Sequence, residues 1–89
     1  MHKFEIEEKF HQTLKKLFKK NKKRYEIVWK KINEIINNSD IEHYKNLKFP
    51  MNEFKRVHID KGFVLIFKYD KTNDKIKFYD LDHHDKIYK

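Results

Sequence analysis

The sequence predicts a single α+β domain in which a short N-terminal strand and a helical hairpin pack on a small antiparallel β-sheet. Three observations lead there. Apolar residues recur at helical spacing through the first part of the chain, they alternate with a period of two from Phe54 onward, and the two patterns are segregated rather than interleaved. A length of 89 residues suits one modest core. No linker, repeat or low-complexity stretch divides it, so residues 1–89 are expected to form one unit.

Phe4 and Ile6 alternate with polar neighbours, as in a short strand. From Glu8 the period changes. Phe10, Leu14, Leu17 and Phe18 fall at i, i+4, i+7 and i+8, one stripe of an amphipathic helix. The stripe stops at the basic stretch Lys19 to Arg24 and restarts with Val28, Ile32, Ile35 and Ile36, flanked by Tyr25 and Trp29. Two antiparallel helices joined by a basic turn are the simplest reading. Asn37-Asn38 closes the second helix. Ser39 and Glu42 have capping-box spacing, which suggests a helical turn near Asp40 to Tyr44. After a loop marked by Pro50, Phe54 to Asp60 reads as a strand, Lys61-Gly62 as a tight turn, Phe63 to Tyr69 as its partner, and Lys75 to Leu81 as a third strand. Phe63 to Phe67 is apolar on both faces and belongs at the centre of the sheet. A two-residue turn would pair Asp60 with Phe63 and His58 with Leu65, so that Arg56, His58 and Phe63 share a face.

Composition removes several functions. A single glycine, Gly62, excludes Gly-rich phosphate loops and dinucleotide fingerprints. With no cysteine there is no disulfide framework, thiolate zinc site or Cys nucleophile. The first eight residues contain no apolar signal region, and the longest apolar run is Phe63 to Phe67, so a cytoplasmic chain with no membrane span is expected.

Lys and Arg number 22 against 14 Asp and Glu, a net charge of +8. The excess is local. Residues 9 to 31 hold ten basic side chains, among them Lys19, Lys20, Lys22, Lys23 and Arg24, against the one acid Glu26, and the rest of the chain is close to neutral. Such clustering fits a polyanion such as nucleic acid, although a Lys-rich solvated helix surface has the same composition.

The densest group of reactive side chains is Asp82-His83-His84-Asp85-Lys86-Ile87-Tyr88. A metal site there is poorly supported, because adjacent histidines on a strand point apart. A solvated chain end is the plain alternative. A third reading is acid/base cleavage of RNA. That chemistry needs a base for the 2′-hydroxyl, an acid for the leaving 5′-oxygen and a cation for the phosphorane. His58 and His84 supply imidazoles, Arg56 and Lys55 supply cations, and Phe63 and Tyr88 offer rings for splayed bases. Each also has a structural reading: His58 as a satisfied strand histidine, Phe63 as core, Arg56 as the partner of Asp60.

The order of elements resembles the RelE/ParE superfamily of toxins from toxin–antitoxin modules, and most of all its YafQ-like RelE branch. Two segments carry the resemblance. Phe54-Lys55-Arg56-Val57-His58-Ile59-Asp60-Lys61-Gly62-Phe63-Val64-Leu65-Ile66-Phe67-Lys68 is similar to that branch's aromatic, basic, His, turn, aromatic and Leu-Ile-aromatic-Lys pattern, and His84-Asp85-Lys86-Ile87-Tyr88 to its terminal His followed four residues later by an aromatic. The resemblance implies a RelE-like toxin fold and a ribosome-dependent endoribonuclease that cuts mRNA codons in the A site. The products would be a 2′,3′-cyclic phosphate and a 5′-hydroxyl, formed without metal or cofactor. It implies catalytic roles for His58 and His84, with Arg56 as the neutralising cation. Lys45, which falls on a loop position where the branch has a histidine, would contact RNA together with Lys55, Phe63, Lys68 and Tyr88. Lys19, Lys20, Lys22, Lys23 and Arg24 would dock on ribosomal RNA, and a cognate antitoxin would be the protein partner. The same scaffold also suits a ParE-like gyrase inhibitor or a non-catalytic RNA- or antitoxin-binding homologue. The histidine pair argues against the gyrase inhibitor, which has no chemical need for it, while Gly62 and Asp80, where the family has polar catalytic groups, leave the non-catalytic homologue open. Docking would then belong to the hairpin and cutting to the nearly neutral sheet.

Overall fold

A computed structural model describes residues 1–84; Tyr88, read above as an RNA contact, lies outside them. Along the chain run β1 (Lys3–Ile6), α1 (Glu8–Lys20), α2 (Lys22–Ile36), a 3₁₀ turn (Ile41–His43), β2 (Lys55–Ile59), β3 (Phe63–Asp70) and β4 (Lys75–His83). The α+β class holds. The sheet has four strands in the order β1-β4-β3-β2, with β1 parallel to β4 and the other pairs antiparallel. It is therefore mixed rather than purely antiparallel. The helices and the β2–β3 hairpin together make up the long connection that a parallel pair requires, and the β2–β3–β4 meander ends with β4 beside β1.

The basic stretch Lys19 to Arg24 is not a turn. It is the last turn of α1 and the first turn of α2, with Asn21 alone between them. Asn21 serves both ends. Its backbone N–H donates to Leu17 O at 2.8 Å, and its side-chain oxygen accepts from Arg24 N at 3.1 Å. The expected Ser39–Glu42 capping box does not form; Asp40 stands at the cap of the 3₁₀ turn, and Asn38 Oδ1 accepts from Asp40 N.

One face of the sheet is covered by the helices. Phe10, Leu14, Val28, Ile32, Ile35 and Ile36 pack against Ile59, Leu65, Phe67, Ile76, Phe78 and Leu81, all of them buried. On the opposite face Val64 and Ile66 are buried beneath Leu47, Phe54 and Tyr79. β3 is thus apolar on both faces because it lies between β2 and β4 with cover on each side. The outer edge of β2 is covered as well, since Arg56 N donates to Lys45 O and Leu47 N to Phe54 O, each at 2.9 Å. Among the described residues no helix is long and apolar enough to cross a membrane.

The β2–β3 connection corrects the sequence expectation. Ile59 pairs with Phe63 and His58 with Val64, so the turn has three residues, Asp60-Lys61-Gly62, and the register moves by one. Asp60 takes φ 52° and Gly62 φ 77°; aspartate tolerates the left-handed region better than most residues, and glycine pays no Cβ penalty there.

Phe78 is fully buried between the helices and the sheet. Phe78→Ala should destabilise the protein by about 3–5 kcal/mol, read as a lower urea midpoint with an unchanged m-value.

Candidate active site

The observed register sorts the candidate residues by face. Directly paired residues on antiparallel strands share a side, so His58 lies with Val64 and Arg56 with Ile66 on the face away from the helices. Phe63 packs with the helix-side core. The expectation that Phe63 shares a face with His58 and Arg56 is therefore wrong, because one extra turn residue moves the partner strand by one position and exchanges its faces.

His58 and His84 come together. Their rings stack with centroids 5.8 Å apart and planes 19° apart, and both residues are exposed. His84 reaches this position because its backbone N–H donates to Gly62 O at 2.6 Å, which fastens the end of β4 to the β2–β3 turn. His83, one residue earlier, goes to the other side. It meets the Phe63 ring edge-on at 5.4 Å and lies over Gly62, where an added Cβ would come within 3.1 Å of its Nε2. Alternation along the strand thus divides the doubled histidine: His84 joins His58, and His83 joins Phe63.

The proposed cations are distributed unequally. Arg56 sits two residues from His58 on the same face, half-buried. Lys55 is not available to RNA. It is 6% exposed, and its Nζ donates to Tyr44 O and Asn46 Oδ1, both at 3.1 Å, so it holds the loop over β2 from inside. Lys68 lies four residues along β3 from Val64, roughly 13 Å away, with its Nζ 3.0 Å from Glu53 Oε1 and 4.6 Å from the centre of the Phe54 ring. It belongs to a separate cluster and is not brought to the histidines. Lys45 is exposed beside the outer edge of β2.

At the hairpin corner Lys19, Lys20, Lys22 and Lys23 are exposed. Arg24 differs from them. Its Nε donates to Asp60 Oδ2 at 3.1 Å and its guanidinium lies 4.2 Å from the centre of the Phe63 ring, so it is half-buried and engaged by the β2–β3 turn. Sequence reasoning did not find the Arg24–Asp60 contact; the two residues are 36 apart in the chain, and only their opposite charges hinted at it. The Arg24 hydrogen bond, with a smaller contribution from the Lys61 backbone N–H, holds the Asp60 carboxyl below the usual aspartate range. Among the described residues no group of three or more His, Cys, Asp or Glu side chains is placed to hold a metal ion.

No family model matches the chain. A protein of Methanocaldococcus jannaschii named “Putative toxin RelE4” is 49% identical over 89 residues, covering 100% of this chain and 93% of the relative. Among solved structures, a metal-bound toxin from Helicobacter pylori superposes with a TM-score of 0.77 at 20% identity, covering 98% of this chain and 99% of the other. The YoeB–YefM complex from Staphylococcus aureus gives 0.74 at 17% identity, with 94% and 98% covered. At these identities the structural likenesses speak for the fold.

The depressed Asp60 carboxyl makes a signed prediction. Its contribution to stability is complete above the ordinary aspartate pKa of about 4 and is lost as pH falls through its lower folded value. Urea midpoints measured at pH 7 and pH 3 should therefore fall more for the wild type than for Asp60→Asn, which has no such carboxylate to protonate.

Proposed function

Because this chain belongs to the RelE family of toxins from toxin–antitoxin modules, we propose that it is a ribosome-dependent endoribonuclease that cuts mRNA in the A site. The observation that carries this reading is the stacked pair His58–His84 on the open sheet face, with Arg56 two residues away. Imidazole titrates near neutral pH, so one ring of such a pair can accept a proton while the other donates one. One imidazole takes the proton from the 2′-hydroxyl. The 2′-oxygen attacks the adjacent phosphorus, a cyclic 2′,3′-phosphate forms, and the bond to the 5′-oxygen breaks. The second imidazole protonates that oxygen, giving a 5′-hydroxyl. The Arg56 guanidinium balances the charge that builds on the phosphorane. The reaction needs no metal for these steps. A gyrase-binding toxin has no use for this pair, which favours cutting over that alternative.

Docking is assigned to Lys19, Lys20, Lys22 and Lys23, four exposed cations at one corner that suit the phosphates of ribosomal RNA without reading sequence. The toxin would act in the cytoplasm, where ribosomes and mRNA are. An antitoxin protein is the proposed partner, in line with the solved YoeB–YefM toxin–antitoxin complex. A groove of about 420 Å³ on the hairpin, floored by Leu14 and Trp29 and rimmed by Lys15 and Lys19, offers an acidic amphipathic segment of such a partner both apolar and cationic contacts.

Mapping mRNA ends in a translation reaction tests the reading. Codon-register cuts with cyclic phosphate ends are expected from the wild type, and His58→Ala and His84→Ala should each lower the rate by about 10²-fold or more. Intact mRNA with broken DNA would favour gyrase instead, and cuts that survive both substitutions would remove the pair from the chemistry.

A further inference from the structure

His84 is held in place by a turn that is itself strained. The Asp60-Lys61-Gly62 turn has two residues at positive φ, and one of them, Asp60, carries a side chain. Such a conformation persists when surrounding contacts over-determine it. One residue of another element supplies two of those contacts. Arg24, in the first turn of α2, donates to Asp60 on one side of the turn and covers Phe63 on the other. Its own backbone is fixed, because its N–H donates to the Asn21 cap. The other end of the connection is Gly62 O, which accepts from His84 N. A continuous path thus runs from the helical corner through Arg24, Asp60 and Gly62 to the backbone of His84, whose ring stacks on His58.

The geometry points to Arg24 as a positioning residue: through the Asp60–Gly62 turn it holds the His84 imidazole against His58. This rests on the endonuclease reading for its catalytic consequence and on geometry alone for its structural one. Arg24 need not touch RNA to act, and its charge is already matched by Asp60 at 3.1 Å. Lysine is a poor substitute, since it can meet the Asp60 carboxylate but lacks the planar group that lies over the Phe63 ring. Misplacing one of two proton-transfer groups by about 1 Å costs on the order of 10²-fold in turnover, so the effect belongs in kcat rather than in ribosome affinity.

The test uses the full chain and three substitutions, Arg24→Ala, Arg24→Lys and Asp60→Asn, with two readouts. In the free protein, the nuclear Overhauser contact between the His58 and His84 rings should weaken in Arg24→Ala and Asp60→Asn, with partial retention in Arg24→Lys. In the translation assay, Arg24→Ala and Asp60→Asn should both lower kcat by tenfold or more while KM for the ribosome changes less than threefold. Asp60→Asn is decisive because it removes the carboxylate charge that Arg24 meets and so leaves the surface less negative, not more. If Arg24 served only to bind RNA, weakening its tie to Asp60 would leave cutting unchanged or faster, and that result overturns the proposal, as does an unaltered ring contact in Arg24→Ala. If the wild type cuts no mRNA, the endonuclease reading fails and the ring contact still decides the positioning role.

Discussion

The turn at Asp60-Lys61-Gly62 sets the register of β2 on β3, and every assignment on the open face depends on it. Side chains alternate along a strand, so the number of residues in a turn decides which groups can meet. Three residues place His58 beside Val64 and Arg56 beside Ile66, away from the helices. The same turn supplies Gly62 O to the end of β4 and thereby brings His84 over His58. Its left-handed Asp60 is unfavourable in isolation. Hydrogen bonding of Asp60 to Arg24, and the cover of Phe63 by the same guanidinium, offset that strain.

The charge distribution has a related logic. Three cations, Lys22, Lys23 and Arg24, occupy the first turn of α2 with no acid among them, where the helix dipole disfavours positive charge. Arg24 is neutralised by Asp60, but Lys22 and Lys23 keep their exposure with the unfavourable dipole, which is understandable if an external polyanion meets them. Most sheet lysines are in a different position. Lys68 pairs with Glu53, and Lys77 pairs with Glu5 and Glu7, so their charge is balanced within the fold. The free basic corner and the histidines lie at the same end of the molecule, linked through Arg24. The proposed docking surface and the proposed catalytic pair are therefore adjacent, rather than segregated into a helical half and a sheet half as the charge count along the chain suggests.

Much of this was legible in the sequence where physics is local. Helical spacing from Phe10 to Phe18 and from Val28 to Ile36, period two from Phe54, and the doubly apolar run at Phe63 each correspond to an element in the structure. A shared role for His58 and His84 was implied by the family resemblance, and the structure brings their rings together. What escaped was non-local or depended on a single residue. The Lys61-Gly62 dipeptide looks like a two-residue turn, and nothing nearby reveals that Asp60 joins it, because the group that stabilises Asp60 is on α2. Lys55 looked like a surface cation; its burial follows from the return of the Tyr44–Asn46 segment over β2, which supplies two acceptors for its Nζ. The parallel pairing of β1 with β4 is likewise invisible to any pattern confined to one window.

The central claim is that two imidazoles on the open face exchange protons with one phosphodiester. Its most direct test is the pH dependence of single-turnover mRNA cleavage on saturated ribosomes, for the wild type, His58→Ala and His84→Ala. The account predicts a bell with both limbs in the imidazole range for the wild type, and the loss of a different limb in each variant, which would also assign the base and the acid. A rate without an imidazole limb in the wild type, or a bell that persists in both variants, would contradict it.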